Sequence, residues 1–223
     1  MENMKKSRSA LRFFGITLFT QAVTALVGGS IFLGPFDKTA FGEATLRMIN
    51  DSRGIAYTSI LIQMITAVVI IMLGVAMYML VRHISESMAL VALSLYIFEA
   101  VLLAVAQVFA FGLVEVSHLF SVSADLNLVT TGEVLLACKS FAGEIAMIPF
   151  GIGAIIFYYL LLKAKVLPKW LALWGILSVP FILISVPLMS FGVNAPFILL
   201  VPYVPFEFFA GIFVLFTNRQ KQS

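Results

Sequence analysis

Charged side chains divide this chain into long apolar runs. None occurs from Phe13 to Phe36, Gly54 to Val81, Ser87 to Phe98, Ala100 to Val114, Ile145 to Leu162 or Trp170 to Phe206. Lipid offers no partner for backbone N–H and C=O groups, so only helices and closed barrels cross it. A barrel strand takes about 10 residues and a spanning helix about 20, and these runs fit helices. The last run is too long for one span; Gly192, Asn194 and Pro196 break it, and Glu207 interrupts the apolar run that continues to Thr217. The pattern predicts six helices, at about 12–34, 55–81, 88–114, 141–163, 167–191 and 196–217. Between the first two, Ala40, Phe41, Ala44, Leu46 and Met48 interleave with balanced charge. That segment, about 38–50, reads either as an amphipathic helix on the outer surface or as a polar loop. Residues 115–139 mix Ser, Asp and Asn with apolar positions and read as a loop that holds an extended start of the fourth span.

Composition decides the class. The chain is 61% apolar and 11% charged, whereas soluble domains run near about 45–50% and 25%. Its mean hydropathy is +1.08. The expectation is an all-α, polytopic membrane protein, one domain over residues 1–223, with the lipid bilayer as its surroundings. A soluble enzyme, a nucleic-acid binder and a disulfide scaffold are excluded. The basic start, the apolar run and Gly28-Gly29-Ser30 imitate a secretory signal. The run nevertheless exceeds a signal's roughly 7–15 residues and no A-x-A site follows, so an uncleaved first helix is expected. Ten Lys and Arg fall near Lys5–Arg12, Arg82, Lys163–Lys169 and Arg219–Lys221, against four at Lys38, Arg47, Arg53 and Lys139. By the positive-inside rule both termini lie in the cytoplasm, in a plasma (inner) membrane crossed six times. Cys138 alone forms no internal disulfide, and His83 and His118 in loops build no metal cluster. Metalloprotease, Walker, nucleophile-elbow and dinucleotide motifs are absent, so neither cofactor nor catalysis is expected.

Three polar residues calculate to one depth. From the cytoplasmic helix ends, Gln21 lies at roughly 14 Å, Glu207 at roughly 15 Å and Glu99 at roughly 16 Å. These depths are near the middle of a core about 30 Å thick. Gln63, Gln107, Glu144 and Ser185 form a second layer at roughly 27–29 Å. The two layers together outline a polar pocket opening outward and ending at a Glu99–Glu207 pair. Carboxyls at this depth are expensive and usually face the bundle interior. Two sharing one low-dielectric space cannot easily both ionise. Pro202 and Pro205 would free backbone carbonyls next to Glu207. Ala100, Ala104, Gly143, Gly151 and Ala154 suit close helix contacts. Phe206, Phe208, Phe209, Phe213 and Phe216 suit lipid, while Tyr158, Tyr159, Trp170 and Trp174 suit the interface.

Tyr78-x3-Arg82, Leu90-Val91-Ala92-Leu93 running into Ile97-Phe98-Glu99-Ala100, Tyr159-Leu160-Leu161 followed by Leu167-Pro168-Lys169, and Glu207 recur in order and spacing. On these the chain resembles the bacterial membrane family known as domain of unknown function 4386, over roughly residues 40–216. The resemblance implies a multi-helix membrane fold and no assigned activity. Tyr96 stands where that family tends to carry Arg, Gln63 where it often carries Asp, and Gly153 where it carries His. Two functional classes remain open. One is a small-ligand-binding, structural or partner membrane protein with a buried carboxylate site, which takes a small molecule, a proton or another membrane protein. The other is a proton-linked transporter or exporter of a small solute using Glu99 and Glu207.

Overall fold

Hydrogen bonding inside lipid leaves the apolar runs no alternative to helix, and the described residues of those runs are almost wholly helical. The computed structural model describes residues 2–33, 41–190 and 202–220. Over them run α1 (Glu2–Leu33), α2 (Glu43–Asp51), α3 (Arg53–Val81), α4 (Glu86–Ser123), α5 (Asn127–Lys163), α6 (Lys169–Ser190) and α7 (Val204–Gln220), with no strand among the described residues. Five of these are long and apolar enough to cross a membrane, and Val204–Phe216 is a shorter apolar helix. The protein is an all-helical, multi-pass membrane protein.

Short connections make neighbouring helices antiparallel. The Ser85 hydroxyl accepts from the Met88 N–H and starts α4, a cap of the ordinary N-terminal kind. α4 ends with Ala124 in the left-handed region (φ 54°), and the Asp125 carboxylate then accepts from the Asn127 N–H at 3.0 Å to start α5. α5 ends with Lys165 left-handed and Val166 donating back to Leu161 at 3.1 Å. This is the six-to-one closure that lets a helix stop sharply, and Pro168 follows it.

α1 packs on α3, α3 on α4, α4 on α5 and α5 on α6, while α7 lies against α1 and α6 and closes the ring. Glycines set its tightest contacts. A Cβ at Gly211 would sit 3.2 Å from the Phe19 backbone, and one at Gly15 3.1 Å from Leu215. The interior is filled by Phe14, Leu18, Met77, Phe157, Leu161 and Phe206 among others. Phe206, expected to face lipid, is fully buried, because Gly175 opens room for its ring. Gly143, expected at a close contact, stands in open space: a Cβ added there would meet nothing within 4 Å.

Three boundaries differ from the sequence pattern. α4 continues from the expected 114 to Ser123, and α5 begins at Asn127 and not 141, within the stretch expected to hold an extended start of that span. At 38 residues, α4 is about 57 Å long, far beyond a core of about 30 Å. Glu115 and Glu133 lie within these helices, so those charges mark a helix face, whereas Asp125 lies in the turn between α4 and α5. Val116 and Phe120 of the same extension, with Leu113 just before it, form a second hydrophobic cluster with Leu46 and Ile49 of α2. The segment expected at about 38–50 is therefore helical from Glu43, and it lies on α4 with the Arg47 guanidinium 5.2 Å from the Phe120 ring centroid. Finally, α7 starts at Val204, not 196, and the break expected at Gly192, Asn194 and Pro196 lies outside the described residues. Pro205 occupies the first turn of α7, where its missing N–H has no intrahelical acceptor. It begins the helix and does not kink it.

Gly175→Ala should lower the unfolding temperature in detergent. Its Cβ would lie 2.7 Å from the Phe206 ring and 3.0 Å from the Tyr158 ring, an overpacking that costs about 1–3 kcal/mol. Gly143→Ala should keep or raise that temperature, since an open helical site gains up to about 1 kcal/mol of propensity.

Candidate functional site

The middle of the ring is polar. α4 presents Tyr96 and Glu99, three residues apart and so on one face. Tyr203, in the turn before α7, and Glu207 in its first turn are four apart. α5 adds Tyr158 and α1 adds Gln21. The Tyr158 and Tyr203 hydroxyls are 3.0 Å apart, and the Tyr203 hydroxyl donates to Glu207 Oε1 at 2.9 Å. The Gln21 side chain lies within hydrogen-bonding reach of the Glu207 carboxyl. Glu99 lies within electrostatic reach of Glu207, and Tyr96 of both carboxyls. Glu99 is 3% exposed, Tyr96 1% and Gln21 8%, while Glu207 keeps partial exposure.

The hydrogen bonding of this cluster is incomplete. Gln21 Oε1, Tyr96 OH and Glu99 Oε2 are buried and have no partner. Each such group costs about 1–3 kcal/mol when nothing answers it. Their wall is aromatic: the Tyr96 and Phe157 ring centroids are 5.3 Å apart, those of Phe150 and Tyr203 5.3 Å, and those of Tyr158 and Phe206 5.1 Å. Gly153 makes the Tyr96 position feasible, since a Cβ there would lie 3.0 Å from its ring. Tyr96 and Gly153 therefore touch each other.

Of the residues predicted from the sequence, Gln21, Glu99 and Glu207 are brought together. The outer layer is not joined to them by any hydrogen bond among the described residues. Gln107 Nε2 donates to Leu103 O at 3.3 Å and Ser185 Oγ to Ile182 O at 2.7 Å, each within its own helix. Gln63 packs on Gly28, and Glu144 is partly exposed on α5. His118, expected in a loop, lies in the α4 extension. Toward that end of the bundle a separate group forms, in which Tyr57 OH donates to Glu115 Oε1 at 2.5 Å and Arg53 Nη2 donates to Tyr57 at 3.4 Å. Two cavities, of about 510 and 560 Å³, lie elsewhere, beside Arg12 on α1 and beside Lys165 and Lys169 before α6. Neither is lined by an unpartnered buried polar atom. Among the described residues no three His, Cys, Asp or Glu gather for a metal ion.

Tyr96, Tyr158 and Tyr203 are site residues that the sequence pattern does not single out. Tyr158 in particular, expected at the membrane interface, is 1% exposed, its hydroxyl satisfied by Tyr203. The spacings Tyr96-x2-Glu99 and Tyr203-x3-Glu207 are a signal for two of the three; nothing local marks Tyr158.

Fold and site together define a multi-pass helical membrane protein with a buried acid–phenol centre. The chain matches the family described as Domain of unknown function (DUF4386) over residues 13–217, and it belongs to that family. The match reaches into α1, so it includes Gln21 as well as both carboxyls. No curated protein and no solved structure matches the chain.

Removing a satisfied hydroxyl and an unsatisfied one should have opposite effects. Tyr203→Phe breaks two hydrogen bonds and should lower stability in detergent by about 1–3 kcal/mol. Tyr96→Phe deletes a partnerless hydroxyl and should leave the unfolding temperature equal or higher.

Proposed function

We propose that this protein binds a small molecule at the Gln21–Tyr96–Glu99–Glu207 centre, within a six-span bundle of the bacterial plasma membrane. One observation carries the reading: Gln21 Oε1, Tyr96 OH and Glu99 Oε2 are buried, polar and unanswered, around a carboxyl that already has a donor. A purely structural role favours saturated hydrogen bonds, because an unanswered group weakens the fold. Function is the usual reason to keep such groups. α7 counts as the sixth crossing. It runs antiparallel to α1, pairing Gly211 with Phe19 and Gly15 with Leu215, which supports placing both termini on one side. The excess of Lys and Arg assigns that side to the cytoplasm. The site binds and does not catalyse: its side chains are carboxyl, phenol and amide, without a paired nucleophile and base.

A second reading, a proton-linked carrier of a small solute, draws on the hydroxyl chain Tyr158–Tyr203–Glu207. The titratable groups facing one another there are Tyr96 and Glu99 from α4, Tyr158 from α5, Tyr203, and Glu207 from α7. In that case binding couples to proton exchange at Glu99 and Glu207, and flux in vesicles depends on pH.

Native mass spectrometry of protein extracted in mild detergent tests the binding role. A small-molecule adduct should be present, and should be lost in Glu99→Gln and Glu207→Gln. An adduct retained by both variants would defeat it. So would no adduct in the parent protein together with full stability of Glu99→Leu. The orientation is checked separately: green fluorescent protein fused after Ser223 should fluoresce, and alkaline phosphatase fused there should be inactive.

A further inference from the structure

The cavity of about 560 Å³ between the α5–α6 turn and α7 sets two lysines, Lys165 and Lys169, over an apolar wall that includes Leu162, Val166 and Phe213. Ligand sites run from about 300 to 1,000 Å³, and this one falls among them. No acidic residue lines it, and none stands in the first turn of α6. Among the described residues no ion pair reaches either lysine. The start of α6 adds the positive end of a helix dipole, where an anion is favoured and a lysine is not. Positive charge is thus gathered here unopposed.

Lys165 holds its place against backbone preference. It is left-handed, with φ 54°, just past the end of α5, and its N–H donates to Leu162 O at 3.2 Å. Glycine is the usual residue at such a position, because a Cβ crowds the following carbonyl. Membrane orientation asks only that Lys and Arg lie within about 15–20 residues of a span end. It does not ask for a lysine at a strained residue, and strain of this kind is a pointer to function.

Location selects the anion. The uncharged run of α5 ends at Leu162, so the cavity stands where hydrocarbon gives way to headgroups. Beside it the exposed Trp170 ring lies 5.7 Å from Phe209 and 6.3 Å from Phe213, centroid to centroid, as amphipathic rings do at that level. A free phosphate gains nothing from the apolar wall. A lipid puts its phosphate on the lysines and its glycerol and first acyl carbons on Leu162, Val166 and Phe213. A zwitterionic headgroup would bring a further cation toward the lysines. The geometry points to an anionic phospholipid, held by Lys165 and Lys169 and bridging the α5–α6 turn to α7. Basic pockets between membrane helices suit such headgroups. This one shares no residue with the Gln21–Tyr96–Glu99–Glu207 centre.

The test is thermal unfolding of the full chain in a neutral detergent, titrated with dioleoylphosphatidylglycerol, dioleoylphosphatidylcholine or sodium phosphate at one ionic strength. Phosphatidylglycerol should raise the midpoint more than phosphatidylcholine, as a ligand of the folded state does. Lys165→Gln and Lys169→Gln should each raise the half-saturating lipid concentration about fivefold, the attraction of one basic residue to an anionic headgroup. Lys163→Gln removes the same charge from a side chain lying 5.6 Å from the Tyr159 ring centroid, and should leave the response unchanged. Lys165→Gly separates binding from folding. Without lipid its midpoint should equal or exceed the parent's, since glycine relieves the strain, while its lipid response weakens as in Lys165→Gln. Equal shifts with both lipids, or an equal loss in Lys163→Gln, would overturn the site as diffuse attraction. An equal shift with sodium phosphate would overturn the lipid in favour of a free anion. A Lys165→Gly protein that is less stable without lipid yet responds in full would make the lysine structural and overturn its role.

Discussion

Everything in this molecule follows from the cost of a polar atom surrounded by hydrocarbon. Along the backbone the cost is avoided by helix formation, and among side chains by self-service. Thr17, Thr66, Ser94, Gln107 and Ser185 all return a hydrogen bond to a carbonyl of their own helix. Such residues need no neighbour and impose no architecture. Glu99, Tyr96, Gln21 and Glu207 are different in kind: they reach the centre of the ring, and three of them hold a polar atom there with no partner. The ring is arranged around them, with Gly153 and Gly74 giving way to the Tyr96 ring.

This distinction separates the two polar layers that depth alone does not tell apart. Rise per residue places Gln107 and Ser185 beside Gln63 and Glu144, but it carries no information about azimuth. Gln107 is only 7% exposed and still belongs to no shared site, because its amide is spent on Leu103. Burial alone does not make a centre.

The membrane-crossing helices are legible in the sequence because each needs only a long uncharged run, a property of one segment. Convergence of Glu99 with Glu207 is legible only as equal depth. The tyrosines are harder. Tyr158 resembles an interfacial aromatic by every local criterion, and its partner, Tyr203, comes from the turn before α7, distant along the chain. The α4 and α5 extensions are hidden for an opposite reason: Glu115, Asp125 and Glu133 look like punctuation, while Leu113, Phe120, Leu135 and Leu136 continue an apolar face that only α2 explains. Of the three, only Asp125 stands at a helix end.

The centre draws on both extremities of the polypeptide, Gln21 from the first helix and Glu207 from the last. During synthesis α4 and α5 therefore enter lipid with Glu99 and Tyr96 still lacking their α7 neighbours. The molecule reaches its finished state only when α7 slots against α1, at Gly15 and Gly211. Assembly order thus leaves a late, non-local docking step, of the slow kind that contacts distant along the chain impose. Of the described helices, α7 emerges after the rest, and it is the one that seals the acidic heart of the protein.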